Sequence, residues 1–285
     1  MEQLTLQGFF PVAALCDSLL VSRAGFYAWR RETESARARR DRELVPLVRD
    51  IFWHHRRRYG ARRIAVELNS QGQPCGVDRV AKLLKIQGLR AIQPKSFVPK
   101  TTDSRHQLGY SPNLLATAPP AVRVNQIWVA DITYIPLRTG AFAYLALLMD
   151  LFSRRLIGWD LAEQMTEPLV LETLHHAIRA RQPSPDLIHH SDRGGQYAGH
   201  RYRAVLRRAA IRQSMSRADN CYDNAFMESC FGTIKTELEM TEYENCASAR
   251  TDIASYIAYY NSERRHSSLD YLSPTEFEAL QALSN

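Results

Sequence analysis

Three acidic residues stand where an acid is costly to keep. Asp131 lies inside the apolar run IWVADITYI, Asp192 closes LIHHSD, and Glu228 falls in the first turns of NAFMESCFGTIKTE. A carboxylate in or beside a core is strongly disfavoured unless a cation compensates it. Carboxylates on the ends of different elements, gathered around one point, suit Mg²⁺, a hard ion that takes oxygen ligands. The spacing predicts a helix from Asn224 to about Glu239. On it Asn224, Glu228, Gly232 and Lys235 share one face, while Met227, Phe231, Ile234 and Leu238 form a separate apolar stripe. The first face offers an acid for a metal, a glycine that lets a backbone approach, and a cation one turn on, which would serve a phosphodiester held beside an ion. Read alone, the same face is equally a solvated surface with an incidental glycine.

Other chemistry is weakly supported. His175-His176 and His189-His190 are adjacent pairs, and neighbours in sequence point apart on a helix or strand, so one ion cannot readily take both. They read as structural or DNA-proximal residues. Five cysteines, with no C-x-x-C pair, argue for reduced thiols in a cytosolic protein and against a disulfide framework or zinc cluster. No Ser, Tyr or Cys has the surroundings of a recombinase nucleophile.

The elements that must position the acids follow from composition and pattern. A chain of 285 residues suggests about two domains. Hydrophobic residues at 45% and charged ones at 24% exclude a disordered chain. No run approaches the roughly 20 apolar residues of a membrane helix, and the N-terminus lacks the basic start of a secretory signal. Net charge is +7, and it is unevenly placed: residues 1–125 carry +11 and residues 126–285 carry −4. A basic half beside a mildly acidic half predicts a polyanion footprint next to something that needs carboxylates.

The basic half reads as small all-helical DNA-binding regions. Residues 1–50 hold a short helix from Pro11 to Leu20 and a second from Arg23 to Arg31 with Ser22 as N-cap, a weak helix-turn-helix signal, then an arginine-rich solvated helix. Residues 51–92 hold a better-defined pair, around Ala61–Asn69 and Val77–Gln87, with Gly88 as C-cap. Arg62 and Arg63 on the first, and Arg79, Lys82 and Lys85 on the outward face of the second, are candidate phosphate contacts. Residues 93–125, with five prolines and several cations, predict an extended basic linker that could lie along DNA.

From residue 126 onward the pattern predicts an α/β fold. Three strands form an antiparallel meander, then short strands near LIHHSD and Ile211–Met215 alternate with helices over Glu167–Arg181 and Tyr197–Ala210. Asp150, ending the second strand, reads as a turn residue at least as readily as a catalytic acid.

These blocks carry a resemblance. WVADITYI, HSDRGGQY and DNAFMESCFGTIKTE resemble the three signature blocks of OrfB-type bacterial insertion-sequence transposases with a retroviral-integrase-like DDE core. The 35 residues between Asp192 and Glu228 agree with that family, as do YYNSERRHSSLDYLSPTEFE and RYGARRIAVEL ahead of the core. Gly195 stands where a serine is more common, a small departure. The resemblance implies a ribonuclease-H-like catalytic core over residues 126–285 with a C-terminal helical tail. It implies that Asp131, Asp192 and Glu228 are catalytic acids and metal ligands for two Mg²⁺ ions, with Mn²⁺ as a substitute. It implies that Lys235 contacts the element end, with Asn224, Gly232 and Arg193 also near DNA. The implied partners are double-stranded DNA (terminal inverted repeats and target), further copies of the chain on DNA, and an upstream-frame product, OrfA, as partner or fusion. The implied place of action is the bacterial cytoplasm, at the nucleoid. A nuclease of the same fold and a transposase-derived DNA-binding protein without catalysis are the competing classes; a strand-transfer assay separates the first, and the intact acid triad argues against the second.

Overall fold

A run rich in β-branched and aromatic residues from Ile127 onward, buried on both faces through its first four residues, gives the long strand on which the rest of the C-terminal half is built. The structure is a computed structural model and describes residues 10–30, 34–93, 109–217, 225–239 and 242–283. It falls into two units, Met1–Arg90 and Ala91–Asn285.

In the first unit, α1 (Val12–Ser18) and α2 (Arg23–Arg30) form the first helix pair. Ser22 caps α2 by accepting the Gly25 N–H at 3.0 Å. Helix α3 (Ala36–His54) runs through residue 50, so the break expected there between two regions does not occur. It is not simply a solvated arginine helix either: its second half buries Leu44, Val48, Ile51 and Phe52. Helices α4 (Ala61–Ser70) and α5 (Val77–Ile86) bury Ile64, Ala65 and Leu68, and Val80, Leu83 and Leu84. Gly88 follows α5 at φ +66°, where a side chain would be strained, and the Gly88 and Leu89 N–H groups close the helix end on Lys85 and Leu84.

The second unit is a five-stranded sheet in the order β3-β2-β1-β4-β5. Strands β1 (Ile127–Pro136), β2 (Phe142–Asp150) and β3 (Leu156–Ala162) are the expected antiparallel meander. Strands β4 (Ile188–Ser191) and β5 (Arg212–Met215) join in parallel on the other side of β1. The two sheet faces divide the core. Val129, Leu145, Leu147 and Met149 pack with α9 (Ala225–Glu237) and α10 (Cys246–Ser262). Trp128, Ala130, Ala146 and Leu148 pack with α6 (Glu167–Arg181), α7 (Gly195–Ala198) and α8 (His200–Arg208). The chain ends in α11 (Pro274–Leu283).

Two expectations are corrected here. The single helix read over 197–210 is two, α7 and α8, broken at Gly199, where a Cβ would collide with the Glu167 carboxylate. That carboxylate accepts the Tyr202 N–H at 3.3 Å, so an acid occupies the start of α8. The described part of the expected linker, residues 109–125, is bound to the core rather than free. Ser214 Oγ accepts the Leu114 N–H, Ser111 Oγ donates to Gln213, and Leu115, Ala118 and Ala121 pack against the apolar cluster.

Candidate active site

The sheet register brings two of the three acids together. In the parallel ladder Val129 stands opposite His190, the last pair; beyond it lie Asp131, still within β1, and Asp192, just past the end of β4, and both line one pocket. The β1–β4 pairing stops at this point while β1 continues, which opens a pocket lined by Asp131, Asp192, Ile132, Tyr134, Met165, Gln196 and Tyr197. Each carboxylate is held by local backbone: Asp131 Oδ1 accepts the Ile132 N–H at 2.8 Å, and Asp192 Oδ1 the Gly194 N–H at 2.9 Å.

The electrostatics report the same neighbourhood. Burial pushes the Asp131 carboxyl well above the usual carboxylate range, and the charge of Asp192 and, less strongly, of Glu228 pushes it the same way. The Ile132 N–H and the Lys235 ammonium oppose this. All three acids and the lysine therefore act on one point.

Helix α9 carries the third acid and the lysine. Glu228 is exposed in its first turn, where an acid suits the helix dipole. Gly232 is open on the outer face, with nothing within 4 Å of where a Cβ would sit. Lys235 is half-buried, and burial lowers its ammonium pKa while Asp131 works to raise it. Met227, Phe231 and Ile234 are buried as expected and Leu238, partly buried, packs against the same cluster, while Glu237 is buried beside them. Asn224 lies outside the described residues.

The donor set fits a hard divalent cation. It is all oxygen, and the mutual repulsion of Asp131 and Asp192 is what a cation would relieve. Among the described residues, no three His, Cys, Asp or Glu side chains close tightly enough to form a ready cage.

The remaining candidates divide. Arg193 is engaged locally: its Nε donates to the Ser216 carbonyl at 2.7 Å and its guanidinium lies 4.6 Å from the Tyr110 ring centre. The outward face of α5 is not uniformly basic in the structure, because Asp41 of α3 pairs with Arg79 at 3.1 Å and Lys82 at 3.5 Å. Lys85 and Arg62 are exposed, and Arg63 lies over the Tyr59 ring. His189 and His190 are fully buried. His189 Nε2 meets the Tyr202 hydroxyl at 2.8 Å, and both His190 ring nitrogens face serines, Ser214 and Ser216. Asp150 is fully buried and accepts N–H groups from Asn125, Phe152 and Ser153 at 2.6–3.1 Å. That is the work of a turn anchor.

Sequence reasoning missed one feature of this site. The buried Glu237 is paired with Arg264 at 2.7 Å. Only a Glu breaking the rhythm of an apolar stripe hinted at it.

A meander of three antiparallel strands continued by two parallel ones, with helices on both faces, is the ribonuclease-H-like architecture of integrase cores. The chain matches the integrase core domain family over residues 121–221 and a second integrase core family over 209–274. Residues 39–97 match an HTH-like domain. It is 39% identical to the insertion element IS600 uncharacterized 31 kDa protein of Shigella sonnei, over 92% of this chain and 97% of that one. It is also 39% identical to transposase InsF for insertion sequence IS3A of Escherichia coli K12, over 95% of each chain. The HTLV-2 integrase catalytic core, solved in complex with magnesium, is similar at a TM-score of 0.45 and 15% identity, over 55% of this chain and 98% of that one. The chain belongs to the IS3 family of insertion-sequence transposases, nucleic-acid-cleaving enzymes with an integrase core.

Proposed function

We propose that this chain is an OrfB-type transposase that cleaves the ends of its insertion sequence and joins the freed 3′-hydroxyl to target DNA. In the first step a water oxygen bonds to phosphorus as the bond to the 3′ oxygen breaks, leaving a 3′-hydroxyl and a 5′-phosphate. In the second the 3′-hydroxyl attacks a target phosphodiester, and a target 3′-hydroxyl leaves. Neither step needs a covalent enzyme intermediate.

Asp131, Asp192 and Glu228 would hold two Mg²⁺ ions, with Mn²⁺ able to replace them. Bound there, such ions supply Lewis-acid stabilisation of the developing charge and favour deprotonation of the attacking group. The chain itself would hold the two aspartates at one pocket, let a DNA backbone approach over Gly232, and set the Lys235 ammonium against a phosphate near the scissile bond, with Asn224 and Arg193 as further contacts. The first unit would grip duplex DNA through Arg62, Arg63, Lys85 and, on exchange of their Asp41 partner for phosphate, Arg79 and Lys82. Action on paired ends calls for several copies on DNA, with OrfA as partner or fusion, in the bacterial cytoplasm.

The observation that carries this reading is that Asp131 and Asp192 line one pocket, with Glu228 and Lys235 within electrostatic reach of Asp131. The test is cleavage and strand transfer on terminal-repeat DNA with Mg²⁺. Asp131→Asn, Asp192→Asn and Glu228→Gln should each lose both activities while still binding DNA. Full activity in any one of them refutes the assignment, and cleavage without strand transfer in the parent chain would make it a nuclease instead.

A further inference from the structure

The C-terminal half is acidic overall, yet residues 193–217 contain seven arginines and no aspartate, glutamate or lysine. Their centre is α8. Tyr202 and Leu206 are buried on its inner side, and His200, Arg201, Arg207 and Arg208 are exposed. No carboxylate lies within ion-pair distance of Arg201, Arg207 or Arg208 among the described residues. The acid next to the helix start, Glu167, is turned to the Tyr202 N–H.

Ordinary helix chemistry explains part of this. Arg207 and Arg208 sit in the last turn, where the dipole favours cations. Arg201 sits in the first turn, where the dipole opposes them. An ordinary solvated helix face would also mix signs, placing an acid three or four residues from a base, and α8 has no acid at all. A face of unshared guanidinium groups, with no lysine among them, fits bidentate recognition of phosphate oxygens.

Chain continuity gives the surface its direction. From Asp192 the chain passes through Gly194 into α7 and directly into α8, so the arginine face begins a few residues from the candidate active site and leads away from it. We infer that the exposed face of α8 is a sequence-independent docking surface for the duplex backbone leading away from the scissile phosphate. This inference rests on the transposase reading, and it gives the acidic core unit its own grip on DNA besides the helical unit.

The test is the salt dependence of DNA binding by the full chain. Each phosphate neutralised contributes a slope of about −0.9 in log K against log salt. Arg201→Gln, Arg207→Gln and Arg208→Gln together should flatten that slope by about 2–3. The flattening should be equal on terminal-repeat DNA and on unrelated duplex. The matching triple lysine variant should keep the parental slope, which separates loss of charge from loss of fold. An unchanged slope in the glutamine variant overturns the proposal, and so does a loss confined to terminal-repeat DNA. Retained cleavage by Asp131→Asn would refute the catalytic reading while leaving the docking surface standing.

Discussion

Arg264 and Glu237 form a buried two-point ion pair, with Nη2 2.7 Å from Oε1 and Nε 2.9 Å from Oε2. The Tyr256 hydroxyl donates to the same carboxylate at 2.9 Å, and the His266 ring lies against the guanidinium. Burial works to lower the Arg264 pKa, yet the hydrogen bonds and charge of Glu237 more than reverse it. Because Glu237 lies on α9, this pair ties the helix bearing Glu228 and Lys235 to the C-terminal segment. Removing one partner strands a buried charge. Arg264→Met should therefore cost about 3–5 kcal/mol of stability, and replacing both partners by apolar residues much less. Chemical denaturation of the single and double variants decides this; equal losses would mean that the charge pairing is not what matters.

Asp150 gives the opposite kind of prediction from the triad. Asp150→Asn puts an amide donor where backbone N–H groups already donate, at a cost of about 1–3 kcal/mol. Arg181 keeps its bond to Glu278 at 2.8 Å, so the surrounding network survives. Cleavage per folded molecule should be unchanged. Abolished cleavage in a fully folded variant would make Asp150 a catalytic residue after all.

Gly232 separates a DNA-facing role from an incidental one. The space around it is open, so Gly232→Ala should raise stability by up to about 1 kcal/mol, as for a glycine in an exposed helix interior. If a DNA backbone approaches there, the same variant should cleave terminal-repeat DNA several-fold more slowly. A variant both more stable and fully active would show the glycine to be incidental.

His189 predicts an acid limit to stability. Burial, with the charge of His190 a lesser cause, pushes its pKa from 6.5 down to about 3. Above about pH 6.5 the side chain is neutral folded or unfolded and contributes no pH dependence. Below that the unfolded chain takes up a proton that the folded one refuses. Stability should then fall as pH drops toward 3, by up to about 1.4 kcal/mol per pH unit. Unfolding curves of the parent and His189→Gln between pH 7 and pH 4 check this; an equally steep fall in both would assign the acid sensitivity elsewhere.

Much of this was legible in the sequence because it is written in local pattern. The β-branched and aromatic runs of β1 and β2, the Ser22 cap and the Gly88 stop each depend on residues a few positions apart. Asp131 and Asp192 were conspicuous because an acid in an apolar run needs a reason. What stayed hidden depends on distant partners. Asp41 moderates the basic face of α5 from a helix some forty residues earlier, and Glu237 finds Arg264 27 residues on. The helix expected over 197–210 breaks at Gly199, where the Glu167 carboxylate from another element leaves no room for a Cβ. The arginine face of α8 was visible as composition, but only the buried positions of Tyr202 and Leu206 show which side of the helix it occupies.

Metal occupancy tests the central claim most directly. Mn²⁺ bound to the full chain on terminal-repeat DNA can be counted by electron paramagnetic resonance titration. The account predicts two ions per active site in the parent, with fewer and weaker ones in Asp131→Asn, Asp192→Asn and Glu228→Gln. Stoichiometry and affinity untouched by all three substitutions would contradict it.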